Sequence, residues 1–185
     1  MKFLKVKEVN KMIFNNAEVK QVNAKTFYNS FCKSVKTLKN KELVDIHNLN
    51  DYKNTYNFLS ADKKSGFAIT TNGDLISVFN NSSCKGFLKS IANFIKSNVK
   101  TLDCYQSKEM DLSAVYNKIF NFKIASILQF DYDFLVAEKG KEYADNFVKI
   151  HGKSNVAFMV NTTKEVNTKY FTDYGMAINY RDSYC

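Results

Sequence analysis

Proline is absent from all 185 residues, so the usual marks of element and domain boundaries are missing and organisation must be read from periodicity. No apolar run approaches the roughly 20 residues of a membrane-spanning helix. The first fourteen residues alternate apolar side chains with lysine and lack the apolar stretch of a signal peptide. Both absences predict a cytoplasmic protein. Cysteine occurs four times, at 32, 84, 104 and 185, with no CxxC pair and no Cys–His cluster at zinc spacing. That argues against a disulfide framework and against a metal site, and for small buried side chains plus a terminal thiol. Histidine is rarer still: His47 and His151 are isolated from each other and read as structural or surface residues. Arginine occurs once, Arg181, against 26 lysines.

The formal net charge is +9. An excess of that size suits an acidic partner or nucleic acid. The lysines, however, are spread along the whole chain, and arginine, the better bidentate reader of bases, is nearly missing. Solubility and a compositional bias toward Lys, Asn, Ile and Phe therefore rank ahead of nucleic-acid binding. Interleaved tyrosine and lysine at 105–108 and 169–181 would suit base stacking and phosphate contact, but core tyrosines and solvated lysines are the simpler reading.

What is present is a good core. Hydrophobic residues make up 45% of the chain and aromatic residues 15%, enough to bury one domain over 1–185. Phe27, Phe31, Val35 and Leu38 fall on one face of a helix over 25–39. Strand-like segments follow at 42–46 and 56–59. Residues 66–71 and 74–79 are apolar, β-branched runs joined by Asn72-Gly73, a strong hairpin signal because both turn residues tolerate positive φ. After a polar loop, Phe87, Leu88, Ile91, Phe94 and Ile95 take helical spacing. A short strand at 101–105, a helix over 110–119, strands at 122–130 and 155–160, and a terminal helix at 170–181 complete the order. The expected fold class is α/β, a mixed central sheet with helices on both faces, with 161–185 a C-terminal helical extension.

The loop after Phe79 carries the chemistry. A strand ends, a polar loop follows, and a helix opens at Gly86. Free N–H groups in a helix's first turn attract anions, and Lys85 adds charge. The segment Asn81-Ser-Ser-Cys-Lys-Gly86 resembles the pyrophosphate loop of the GNAT superfamily of acetyl-CoA-dependent N-acetyltransferases, whose pattern is Gln/Arg-x-x-Gly-x-Gly/Ala. Gly86 is kept, while Asn81 and Cys84 depart from the pattern. Val115-Tyr-Asn-Lys-Ile-Phe-Asn-Phe-Lys123 resembles the family's Leu-Tyr-x-x-x-Gly-Phe element, with Asn121 where glycine is usual. The 66–79 hairpin, Leu102-Asp-Cys-Tyr105 and Gly152-Lys-Ser-Asn-Val-Ala-Phe-Met159 are similar to segments of small phage-encoded members.

The resemblance implies a GNAT-like fold that binds acetyl-CoA through Val78, Phe79, Asn81, Cys84, Lys85, Gly86 and Phe87. It also implies that Tyr116 protonates the departing thiolate. Asp103 is the candidate general base by its place on a strand. Asp74, next to the turn glycine, reads as a turn residue, and Cys104 as a buried thiol. The implied function is N-acetyl transfer to an amine, such as a protein lysine, with a host or defence protein as the implied target. The alternative is a non-catalytic GNAT-fold binding or inhibitor module of phage origin.

Overall fold

A computed structural model of the chain describes residues 11–14, 17–82, 86–108 and 111–185. They fall into two compact units, Met1–Lys100 and Thr101–Cys185. Each has β-strands with helices packed on both of their faces, and the fold class is mixed α/β.

In the first unit, strands β1 (Lys11–Phe14), β2 (Ala17–Val22), β3 (Thr55–Ser60), β4 (Ser65–Thr70) and β5 (Asp74–Asn80) pair antiparallel in sequence order. Helix α1 (Ala24–Val35) starts where Asn23 Oδ1 accepts the Thr26 N–H at 2.8 Å, the usual N-cap bond. Its residues Phe27, Phe31 and Val35 repeat every four positions and are buried against Tyr52, Leu59, Ala68 and Phe79. Full burial of each ring contributes about 1.5–3 kcal/mol, and this stripe fixes α1 to one face of the sheet. The opposite face carries Phe58 and Phe67, whose rings pack with those of Phe87 and Phe94. These last two belong to α2 (Phe87–Ser90) and α3 (Ala92–Asn98), two short helices broken at Ile91 where one continuous helix was expected.

The 66–79 hairpin is present, but its turn differs from the expectation. Gly73 donates its N–H to Thr70 O at 3.0 Å and has φ +91°, whereas Asn72 keeps negative φ. Three residues therefore connect the strands, and glycine alone takes the left-handed position. Residues 42–46 form no strand: Lys41–Leu43 is a single 3-10 turn that buries Leu43. A run this short gains more by sinking one leucine than by extending without a partner strand.

In the second unit, β6 (Thr101–Gln106) and β7 (Lys123–Leu128) both pair antiparallel with β8 (Asn155–Val160), while β9 (Lys169–Phe171) runs parallel to β7, so this sheet is mixed. Helix α4 (Leu112–Phe120) is capped at its start by Asp111 and at its end by Asn121, which sits at φ +63° as the expected left-handed cap. Met110, the expected first residue of this helix, lies outside the described residues. Sequence periodicity missed α5 (Tyr132–Lys139) and α6 (Lys141–His151). Helix α5 buries no side chain, so it has no apolar stripe to detect. At the C-terminus the expected helix is divided: β9 comes first, then α7 (Tyr174–Asp182), capped by Asp173 Oδ1 on the Met176 N–H at 2.7 Å. Ala177 and Arg181 face inward, while Tyr174 is 57% exposed.

Candidate functional site

Strand β5 reaches the candidate loop through an irregular register. Gly66 pairs with Phe79 but Ala68 pairs with Ile76, so Ser77 and Val78 together oppose Phe67, which makes a β-bulge. Ser77 has φ +53°, a left-handed conformation that costs a serine about 1–2 kcal/mol. Tyr52 stands against it: the two hydroxyl oxygens lie 2.7 Å apart in a hydrogen bond. The Tyr52 ring is fully buried among Phe27, Phe31 and Tyr28, and that burial pushes its phenol up to about 12. Tyr52 and Ser77 were not among the residues singled out from sequence. No local pattern marks a serine that will take positive φ, and the partner lies 25 positions away.

Beyond the bulge, Phe79 is 2% exposed and its ring packs with Phe27 and Phe31, so of this residue only the backbone is left for a ligand. Val78 is half-buried. Asn81 is held at both ends: its N–H donates to Lys64 O at 2.8 Å and its Nδ2 to Thr37 Oγ1 at 2.6 Å. Ser82 Oγ donates to Asp62 Oδ2 at 2.9 Å. Cys84 and Lys85 lie outside the described residues. Gly86 has φ +93°, and a Cβ built there would meet no atom within 4 Å. Its carbonyl accepts the Ser90 N–H at 2.9 Å, and Phe87 turns inward. The helix it opens has four residues, so any anion held here would depend on loop N–H groups and lysine more than on a long helix dipole.

In the second unit, alternation along β6 sorts the candidates. Cys104 is buried with its Sγ 3.9 Å from Met159 Sδ. Gln106, two positions on, donates its Nε2 to Ser113 Oγ of α4 at 2.8 Å. This is the face that α4 covers. Tyr116, one turn further along α4, is 7% exposed, and its ring stacks on Phe120 at 5.6 Å. Burial, followed by the nearby Cys104 and Asp103, drives its phenol far above the ordinary value, so it stays protonated at neutral pH. Burial does the same to the Cys104 thiol, leaving it a poor nucleophile. Asp103 precedes Cys104 on the strand and pairs with Phe158, the residue over which the α7 guanidinium of Arg181 lies at 5.9 Å. Asp103 therefore belongs to the sheet face opposite Tyr116, and the two do not converge as an acid–base pair across one substrate.

A further polar chain was not anticipated. Ser113 Oγ donates to Asp111 Oδ1 at 2.6 Å while accepting from Gln106, tying the start of α4 to the end of β6. Two surface clefts lie in this unit. One, of about 480 Å³, is lined by residues that include Asp131, Asp133, Lys153 and Asn155. The other, about 380 Å³, has Asp111, Ser113, Asn117 and Lys123 among its walls. Neither is lined by Tyr116 or Asp103. His151 is fully buried against Phe147 at the end of α6, and His47 meets the Tyr52 ring edge-on, so both histidines are packed. Cys32, Cys104 and Cys185 are unbridged. Among the described residues no group of His, Cys, Asp and Glu is gathered for a metal, and no helix is long and apolar enough to cross a membrane.

Comparison with known protein families, with curated proteins and with solved structures finds no match to this chain. What the geometry defines is a mixed α/β protein with a bulged strand leading into a polar loop and a buried, protonated tyrosine in its second unit.

Proposed function

We propose that the protein is a cytoplasmic N-acyltransferase that uses acetyl-CoA, and that an amine, such as a protein lysine, is its acceptor. The observation that carries this reading is the bulged end of β5. The pantetheine arm of acetyl-CoA is an extended chain with two amides, and such a chain binds by pairing with strand backbone. A bulge takes backbone groups out of their own ladder and re-aims them. Here the bulge residue Ser77 is pinned by Tyr52 and leads within a few residues to the loop ending at Gly86. The open space around the Gly86 Cα leaves room for a phosphate to approach the backbone. The order of hairpin, loop, helix, strand, helix with a left-handed Asn121 cap, and late strand agrees with the one the sequence motifs imply.

Acetyl-CoA would supply the activated acyl group, with the pyrophosphate on 81–87. Transfer forms an amide, breaks the thioester C–S bond and leaves a thiolate to be protonated. Tyr116, whose phenol is raised by burial and is protonated at neutral pH like any tyrosine, is the donor that the sequence resemblance assigns to that thiolate. The proton lost by the amine goes to water, since Asp103 faces away from Tyr116. A second reading, a non-catalytic binding module of phage origin directed at a host or defence protein, is favoured by that same separation. Calorimetric titration with acetyl-CoA, followed by thiol release with a panel of amines, tests the proposal. Saturable binding with acceptor-dependent thiol release supports the enzyme. Absence of binding at millimolar acetyl-CoA refutes it and favours the module.

A further inference from the structure

We infer that the outer face of α1 is a nucleic-acid-binding surface that holds the phosphate backbone without reading its sequence. The net charge of the chain is not evenly shared. Residues up to Lys100 contain 17 lysines and 7 acidic residues, a formal +10, whereas the unit from Thr101 contains nine lysines, Arg181 and 11 acidic residues, a formal −1. The excess charge of the protein thus belongs to its first unit. Within that unit, six lysines and no acidic residue lie between Glu18 and Glu42.

The helix turns this stretch into a stripe. Lys25, Asn29, Lys33 and Lys36 are all exposed, and at about 100° per residue they fall within an arc of about 80°. Phe27, Phe31 and Val35 occupy the other side and are spent on the core. Among the described residues Lys25, Lys33 and Lys36 make no ion pair, whereas Lys20, before the helix, is paired with Glu18. Their charge is uncompensated along about 16 Å of helix at 1.5 Å per residue, a length over which a duplex with one charge per about 1.7 Å presents several phosphates.

The chemistry of the stripe selects among polyanions. A membrane-surface helix needs a free apolar face to insert, and the apolar face of α1 is already buried. Acidic protein partners are held by aromatic and arginine anchors in an interface core, and the stripe has only lysine and asparagine. Lysine is a point charge suited to phosphate oxygens and poorly suited to bidentate base contacts, so the binding is indifferent to sequence. The surface is separate from the acyltransferase reading, and neither depends on the other.

The test uses the full chain and a fluorescein-labelled random duplex of roughly 20 base pairs, as DNA and as RNA, read by anisotropy between about 50 and 200 mM salt. Salt-sensitive binding is expected. At roughly 0.9 in slope per phosphate contact, K25E/K33E/K36E should reduce the log–log salt slope by about 2.7 and weaken binding more than about tenfold at the lower salt. The milder K25Q/K33Q/K36Q should shift both in the same direction, and K139E/K149E, on exposed lysines of the second unit, should change neither. Melting curves of each variant establish that it is folded. The inference is overturned if duplex binding is absent at the lower salt, if the folded α1 variants bind like the parent, or if anionic lipid vesicles or polyglutamate are bound more tightly than either duplex.

Discussion

Gly66→Ala should be disproportionately damaging for a one-methyl change. A Cβ at Gly66 would lie 2.5 Å from Phe58 O, 2.7 Å from Leu59 Cδ2 and 2.9 Å from Phe79 Cε1. The leucine and the ring can rotate away. The carbonyl cannot, because it belongs to β3, which is paired with β4 from Thr55↔Thr70 to Leu59↔Gly66. Relief must come from splaying those strands or pushing Phe79 out of its contact with Phe27 and Phe31. Overpacking of this kind costs about 1–3 kcal/mol, and a backbone obstacle places it in the upper half. The lower conformational entropy of the unfolded alanine-bearing chain offsets about 0.4–1 kcal/mol of this. A net loss of about 2 kcal/mol lowers the Tm by roughly 4–8 °C at this chain length, measured by thermal melting. Displacement of Phe79 should also loosen the adjoining bulge and weaken any acetyl-CoA binding. Gly86→Ala is the informative contrast: it meets no atom within 4 Å, so its cost is the left-handed backbone alone, about 1 kcal/mol. A Gly66→Ala protein that melts with or above the parent would refute the packing reasoning.

Tyr116→Phe keeps the ring on Phe120 and removes the proton; with an identified acceptor, kcat should fall on the order of 100-fold with acetyl-CoA affinity nearly unchanged, whereas a purely structural tyrosine predicts normal turnover. Asn121→Val should cost about 1–2 kcal/mol in a denaturant melt because a β-branched residue is forced to φ +63°, and Asn121→Gly should be neutral or stabilising. The alkaline limb of stability should respond to Tyr52. Its phenol is raised from 10.0 unfolded to about 12 folded, so the folded state keeps a proton that the unfolded chain has released. That contribution is complete below pH 10 and is lost as pH rises through about 12. Tyr52→Phe should therefore start less stable, through the lost Ser77 bond, and show a flatter decline across that window in pH-dependent melts; an unchanged slope would remove Tyr52 from the alkaline transition.

The local chemistry of the chain determined a good part of this protein. The 66–79 hairpin, the Phe27–Phe31–Val35 face of α1, strands at 101–105 and 155–160, and the Asn121 cap follow from periodicity and from residues that tolerate positive φ, and such signals act over a few neighbouring positions. Tertiary structure decided what depends on distant partners. Residues 42–46 formed no strand, with Lys41–Leu43 taking a 3-10 turn that buries Leu43, and α5 lies beside α6 with no side chain of its own fully buried, so no stripe announces it. Ser77 takes a left-handed conformation because Tyr52 holds it across the fold. Asp103 and Cys104 are neighbours in sequence, but the pleat of β6 sends them to opposite faces, and which face meets Tyr116 is set by where α4 packs. The charge excess of the first hundred residues is already written in the sequence, but it is the helix that lines three of its lysines along one face. Charge and hydrophobicity are written residue by residue, whereas convergence of side chains is a property of the packed sheet.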